Sequence, residues 1–364
     1  MMKQLNRDDL IDILHGSAFM GTGGGGEIEL GMRYIDAALE AGKTFRLVSA
    51  TDLDDATMTC TPYALGATQA SELLDEHARL RKATEAPIVT AINRLASHVG
   101  AEFGATVACE LGGENTAVAA YAAAMIDGAL LDADAAGRAV PEITHSTYCL
   151  AGLSASPVVM ANEFGETMLC ENIFDDQRAE DIARSFAMVS RDDIVAVDHA
   201  ATIEELEHAL YHGSISMAAE LGAAIRTARN ASENAATQLA NIGRGKILFQ
   251  GTISNCEDRI DCGFTCGFME LKGSGNYAED ECRIEFKNEN MMASINSKIV
   301  ATIPDLICVL NDDAGEALTN PNGEVGMNIS VVVLPAPPHF TTAAGLEIFG
   351  PAYIGLSQAY TPAV

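Results

Sequence analysis

ATVACELGGENTAVAAYAAAMIDGALLDAD, Ala105 to Asp134, decides how the rest of the chain is read. Ala105–Glu110 is a short apolar run, long enough for a buried strand, and it enters the turn LGGEN. Asn115–Asp127 is rich in small helix-forming residues and closes at Gly128. Ala129–Asp134 is apolar again. Strand, glycine turn, helix and strand in so few residues predict two parallel strands joined by a right-handed crossover. In such a sheet, ligands bind beyond the carboxyl ends of the strands. Here those ends carry ELGGEN (Glu110–Asn115) and DADAAGRAVPE (Asp132–Glu142).

Toward the N-terminus, Asn6 is placed as an N-cap with Asp8 and Asp9 in the first turn. The apolar residues Leu10, Ile11, Ile13, Leu14 and Ala18 then recur at helical spacing. GTGGGG (Gly21–Gly26) follows this helix, and a second helix begins after it, with Ile28, Met32, Ile35 and Leu39 on one stripe. The run fits G-x-G-x-x-G, but a dinucleotide turn needs a strand before its first glycine, and the helical period there argues against NAD. Consecutive glycines before a helix still expose backbone N–H groups suited to an anion or a carbonyl. Close backbone packing would require the same residues. Thr44–Ala50 reads as a strand and Gln69–Ala83 as an exposed helix.

Toward the C-terminus, Ser156–Asn172 reads as a hairpin around Phe164-Gly165, followed by an Ala-rich helical tract over Ile203–Leu239. From Gly245 onward strand-like runs alternate with Gly, Asn and Asp turns, as in an antiparallel sandwich or barrel. The expected fold class is therefore an α/β domain with parallel strands over residues 1–165. Residues 166–364 form a helical connector and a mostly antiparallel β domain.

Acidic residues outnumber basic ones 51 to 22, for a net charge of −29, which disfavours nucleic acid and anionic membranes as partners. No apolar run reaches the ~18 residues of a membrane span, and the opening MMKQLNRDD lacks a signal-peptide pattern. Nine scattered cysteines, several in apolar company, suit a reducing compartment, so the expectation is a cytoplasmic protein.

Asp132 and Asp134 stand two apart on one strand and share a face, with Arg138 close enough to orient one of them. Glu110, Glu114 and Glu142 gather at the same edge. Several carboxylates with one cation can perform acid/base chemistry when burial separates their pKa values. A divalent cation is the other option, with Asp132, Asp134, Glu142 and His145 as its ligands; the spacing does not demand one. Helix capping and a structural Arg–Asp pair would account for the same residues. His208 and His212 lack the H-E-x-x-H pattern, and no C-x-x-C pair occurs.

Taken in order, GTGGGG, ELGGEN, LDADAAGRAVPE, FKNEN (Phe286–Asn290), PDLI (Pro304–Ile307) and GPAYIG (Gly350–Gly355) resemble the S-methyl thiohydantoin desulfurase family across nearly the whole chain. The resemblance implies an α/β domain followed by a β domain, and hydrolysis of a thiohydantoin ring with release of a thiol. Glu27-Ile28 after the glycines and DCGFTCGF in the β domain depart from the family pattern. On this reading Asp132 or Asp134 activates water and Glu142 or Glu114 protonates the ring. Gly23, Gly24, Gly25, Gly26, Asn115 and Arg138 hold the heterocycle. Cys60 or Cys149 would serve a covalent route. A non-catalytic subunit of a hydantoinase- or oxoprolinase-type system is the alternative. Self-association is left open.

Overall fold

The structure, a computed structural model, describes residues 2–66, 82–190, 194–261 and 263–364. After the short strand β1 (Lys3–Leu5), a capping box opens α1 (Arg7–Met20): the Asn6 side chain accepts from Asp9 N–H, and Asp9 accepts from Asn6 N–H, both at 2.9 Å. GTGGGG then joins α1 to α2 (Ile28–Glu40), a helix-to-helix connection without a preceding strand. Next come β2 (Phe45–Val48), β3 (Met58–Leu65) and α3 (Pro87–Val99). The helix expected over Gln69–Ala83 lies, but for its last two residues, outside the described residues.

The central βαβ unit forms as its sequence predicts. β4 (Ala105–Ala108) and β5 (Ala129–Asp134) pair in parallel across α4 (Asn115–Met125). The alanines of α4 are buried nearly all round, which lets this helix lie close on the sheet: Thr106 donates its hydroxyl to the Ala119 carbonyl at 2.8 Å. β6 (Val158–Ala161) and β7 (Thr167–Cys170) make the expected hairpin, followed by α5 (Asp176–Ser190), β8 (Ile194–Thr202) and β9 (Tyr211–His212). The sheet order is β1-β2-β5-β4-β3-β8-β6-β7, with β9 on β5. The β2–β5, β5–β4 and β4–β3 pairs are parallel and the others antiparallel. This sheet therefore continues well past residue 165, because β8 is needed to join the β6–β7 hairpin to β3.

The Ala-rich tract over Ile203–Leu239 is not one helix. Gly213, in the left-handed region at φ 76°, ends β9 and starts α6 (Ser214–Ala231); α7 (Ala236–Ile242) follows. α1 and α6 cross at reciprocal glycines. A Cβ on Gly16 would lie 1.8 Å from the Ala218 carbonyl oxygen, and one on Gly222 would lie 1.8 Å from that of Asp12. Only glycine permits so close an approach. Arg226 ties the same crossing with two hydrogen bonds to Asp12, both 2.7 Å.

The second sheet is antiparallel throughout: β10 (Lys246–Asp261), β11 (Phe264–Gly273), β12 (Glu281–Lys287), β13 (Glu289–Ile295), β14 (Lys298–Thr302), β15 (Leu306–Asn311), β16 (Glu316–Ala317) and β17 (Asn328–Leu334). Its order is β14-β13-β12-β11-β10-β17-β15-β16. The run Cys282–Ile295 folds back on itself at Asn288, whose φ of 56° suits a tight reversal. Phe249, Ile284, Ile329 and Val331 form its core. α8 (Ala343–Phe349) and the segment after it return the chain to the first domain, where Phe349 packs near His145. Among the described residues no helix is long and apolar enough to cross a membrane.

Candidate active site

A cavity of about 300 Å³ opens between the two sheets. Its floor lies where β4 and β5 end, at Cys109-Glu110 and Ala135, beside Thr61 and Tyr63 of β3 and Asp198-His199 of β8. The glycine run and the Val140–Ile143 loop form its sides. The β domain closes it with Thr265, Asn288, Glu289, Thr319 and Asn320.

The glycine run holds these parts together. Gly23, Gly25 and Gly26 all lie in the left-handed region, at φ 97°, 76° and 78°. The Gly25 carbonyl accepts from the first N–H groups of α4, those of Glu114 (3.1 Å) and Asn115 (3.2 Å). Thr22 and Gly23 carbonyls accept from Asn290 (2.7 Å) and Asn320 (2.9 Å) of the β domain. Gly24 N–H is engaged by the Gly21 carbonyl at 2.9 Å. Glu27, just after the run, accepts from Thr319 and Asn322. The close-packing reading of these glycines thus applies, and the same four residues, Gly23–Gly26, line the cavity.

Glu110 sits at the end of β4 and is buried. Its oxygens accept from Asn115 Nδ2 and from Val140 N–H, each at 2.7 Å, while Asn115 accepts from Ala64 N–H. Burial outweighs these bonds and pushes the carboxyl up to about 7. Glu289 enters from β13 and is also buried, with Oε2 free of any hydrogen bond. Burial, and then the charge of Glu110, hold it well above the usual carboxylate range; Arg138 opposes them. Glu142 lies in the opposite regime. Although burial raises it, the Tyr353 hydroxyl at 2.6 Å, His145 and the Lys287 ammonium at 3.1 Å bring it below its ordinary value. One cavity therefore holds carboxyl groups displaced in both directions, the arrangement that acid/base chemistry requires.

The structure brings together Gly23–Gly26, Glu110, Glu114, Asn115 and Glu142 of the residues named from sequence. Asp132, Asp134, Arg138 and His145 stand outside the cavity lining. Asp132 accepts from Ser216 N–H (2.8 Å) and its hydroxyl (2.6 Å), in the first turn of α6. Asp134 is fully buried and accepts from Ala136 and Gly137 N–H groups; burial lifts it to about 7. Arg138, buried and lowered to about 10 by desolvation, donates to Ala139, Pro304 and Asp305 carbonyls and to the Thr22 hydroxyl. It joins the domains rather than a ligand. His145 is packed among Phe349 and Tyr353, and desolvation lowers it to about 4. Asp132, Asp134, Glu142 and His145 do not converge. Among the described residues no three His, Cys, Asp or Glu side chains are arranged to hold a metal ion. Cys60 is wholly buried, and among the described residues Cys109 is the cysteine that lines the cavity. Burial keeps its thiol well above the ordinary range.

Sequence reasoning missed Asp198, His199 and Glu289. The signal for the first two was present in IVAVDHAAT, where a charged pair interrupts an apolar strand. Glu289 lay within FKNEN, but only the hairpin at Asn288 turns it inward.

A mixed α/β sheet, an antiparallel β sheet and an acidic cleft between them define a two-domain protein whose cavity is lined by both halves. The chain belongs to the S-Me-THD-like family: the family's N-terminal domain matches residues 8–172 and its C-terminal domain residues 174–363. This is the family of the S-methyl thiohydantoin resemblance. A crystal structure of a protein from Chromobacterium violaceum is similar over 100% of both chains, with a TM-score of 0.78 and 24% identity, which supports the fold. No curated protein matches the chain.

Proposed function

We propose that this protein is a hydrolase that removes the thiol from an S-methylated thiohydantoin, leaving a hydantoin. The observation that carries this reading is the pair Glu110 and Glu289, two buried carboxyl groups held toward their neutral forms in the lining of one cavity. In the substrate, C2 is bonded to sulfur and doubly bonded to a ring nitrogen. A neutral carboxyl donates its proton to that nitrogen as water adds to C2 and gives one proton to an ionised carboxylate, so no charge accumulates on the ring. The hydroxyl of the tetrahedral carbon then returns a proton to the first carboxylate, C=O forms, and sulfur leaves as the thiol with the proton held by the second. Glu110 or Glu289 supplies the proton; Glu114, Asn115 and the glycine loop bound the space for the ring. The acidic walls disfavour an anionic intermediate, which makes proton donation before sulfur departure the favoured order. A cavity of about 300 Å³ accommodates a single five-membered heterocycle with small substituents.

The test is thiol release from S-methyl thiohydantoin, read with a chromogenic thiol reagent. Release well above the uncatalysed rate is expected. Hydantoin binding without thiol release would favour a ligand-binding subunit instead.

A further inference from the structure

β8 departs from its ladder at the floor of the cavity. Thr59 and Thr61 of β3 face Ala201 and Asp198, so β8 carries one residue more than its partner between these pairs. His199 lies inside this bulge with φ at 43°, an uncommon region for a residue with a Cβ. The irregularity aims two successive side chains, Asp198 and His199, at the cavity wall.

We propose that Asp198 is the base that activates the attacking water, with Tyr63 and His199 as the residues that position it. The assignment rests on the hydrolase reading above. Asp198 Oδ2 accepts from the Tyr63 hydroxyl at 2.9 Å, and Oδ1 lies 2.7 Å from His199 Nδ1. Each oxygen keeps a second lone pair for a water proton. The imidazole is itself fixed: it stacks on Tyr148 at 4.1 Å between centroids, and Tyr148 OH lies 3.0 Å from Thr61 Oγ1. Burial pulls His199 down, yet Asp198, then Asp176 and the Leu153 carbonyl, outweigh it and raise the ring above its ordinary value. Facing a carboxylate oxygen at 2.7 Å, Nδ1 carries a hydrogen and donates it to Asp198. Such a set of donors around one buried carboxylate has no helix or turn to cap.

The step balances. Asp198 takes a proton from water as its oxygen bonds to C2, and the C2=N electron pair moves to nitrogen, which takes a proton from Glu110 or Glu289. On collapse, the new hydroxyl returns its proton to that glutamate. The C2–S bond breaks, and Asp198 gives its proton to sulfur. Both acids are restored.

The deciding experiment compares thiol release by wild type, Asp198→Asn and Tyr63→Phe, with hydantoin binding measured by calorimetry. Asp198→Asn is expected to lower kcat by about 1,000-fold while hydantoin still binds. Tyr63→Phe is expected to lower kcat by about tenfold with KM unchanged, because only the base's orientation is lost. Full activity in Asp198→Asn overturns the assignment and leaves the hydrolase reading intact. Should that variant not fold, an unchanged kcat in Tyr63→Phe overturns it equally. A wild-type protein that releases no thiol overturns both.

Discussion

Gly24 leaves empty the volume into which Glu289 projects: a Cβ on residue 24 would lie 2.0 Å from Glu289 Oε1. The glycine loop of one domain and the buried acid of the other are therefore complementary. Gly24→Ala is expected to destabilise the protein by about 1–3 kcal/mol through overpacking and to lower thiol release by displacing Glu289. Combining it with Glu289→Ala removes the collision, so the double variant should be more stable than the sum of the single changes requires. Denaturant unfolding of all four proteins checks this; strict additivity would refute the contact.

Glu110 links the site to pH. Its folded-state carboxyl is raised from 4.5 to about 7, so between these values the folded protein binds more protons than the unfolded chain. Stability from this group is then present at low pH and lost as pH rises toward 7. Glu110→Gln, which stays neutral, should flatten the fall in Tm between pH 5 and 7.5. A wild-type slope retained in the variant would assign the effect to another group.

Arg138→Leu is expected to cost about 3–5 kcal/mol, because it leaves the Pro304 and Asp305 carbonyls and the Thr22 hydroxyl without their buried donor. The loss should appear in both domains together, as one unfolding transition at lower denaturant. A change below about 1 kcal/mol would mean that water replaces the guanidinium.

Asp132→Ala separates capping from catalysis. Because Asp132 accepts from the first turn of α6, its removal should lower stability by about 1 kcal/mol. Thiol release per folded molecule should stay within about twofold of wild type, since no step of the proposed chemistry uses this carboxylate. A large fall in kcat at unchanged KM would return Asp132 to the mechanism.

Much of this architecture is legible without coordinates. The Asn6–Asp9 cap, the parallel β4–β5 pair, the β6–β7 hairpin and the turn-punctuated β domain all depend on interactions between residues near in sequence. Hydrophobic period and turn chemistry report such interactions directly. Glu114, Asn115 and Glu142 could be placed at the cavity for the same reason: they follow strands whose direction the βαβ unit defines. By itself, the sequence determined the two-domain organisation and the sheet edge at which the cavity opens.

Tertiary structure decided which acids face the cavity. Asp132 and Asp134 share a face of β5, but α6 covers that face, and the register of a helix some 80 residues later is not encoded locally. Glu289 reaches the site because β13 of one domain meets the glycine loop of the other, and Asp198 because β8 adds an antiparallel strand beside β3 with a bulge. Each of these depends on contacts between distant segments, where burial and neighbouring charge, rather than spacing, set a carboxyl group's surroundings.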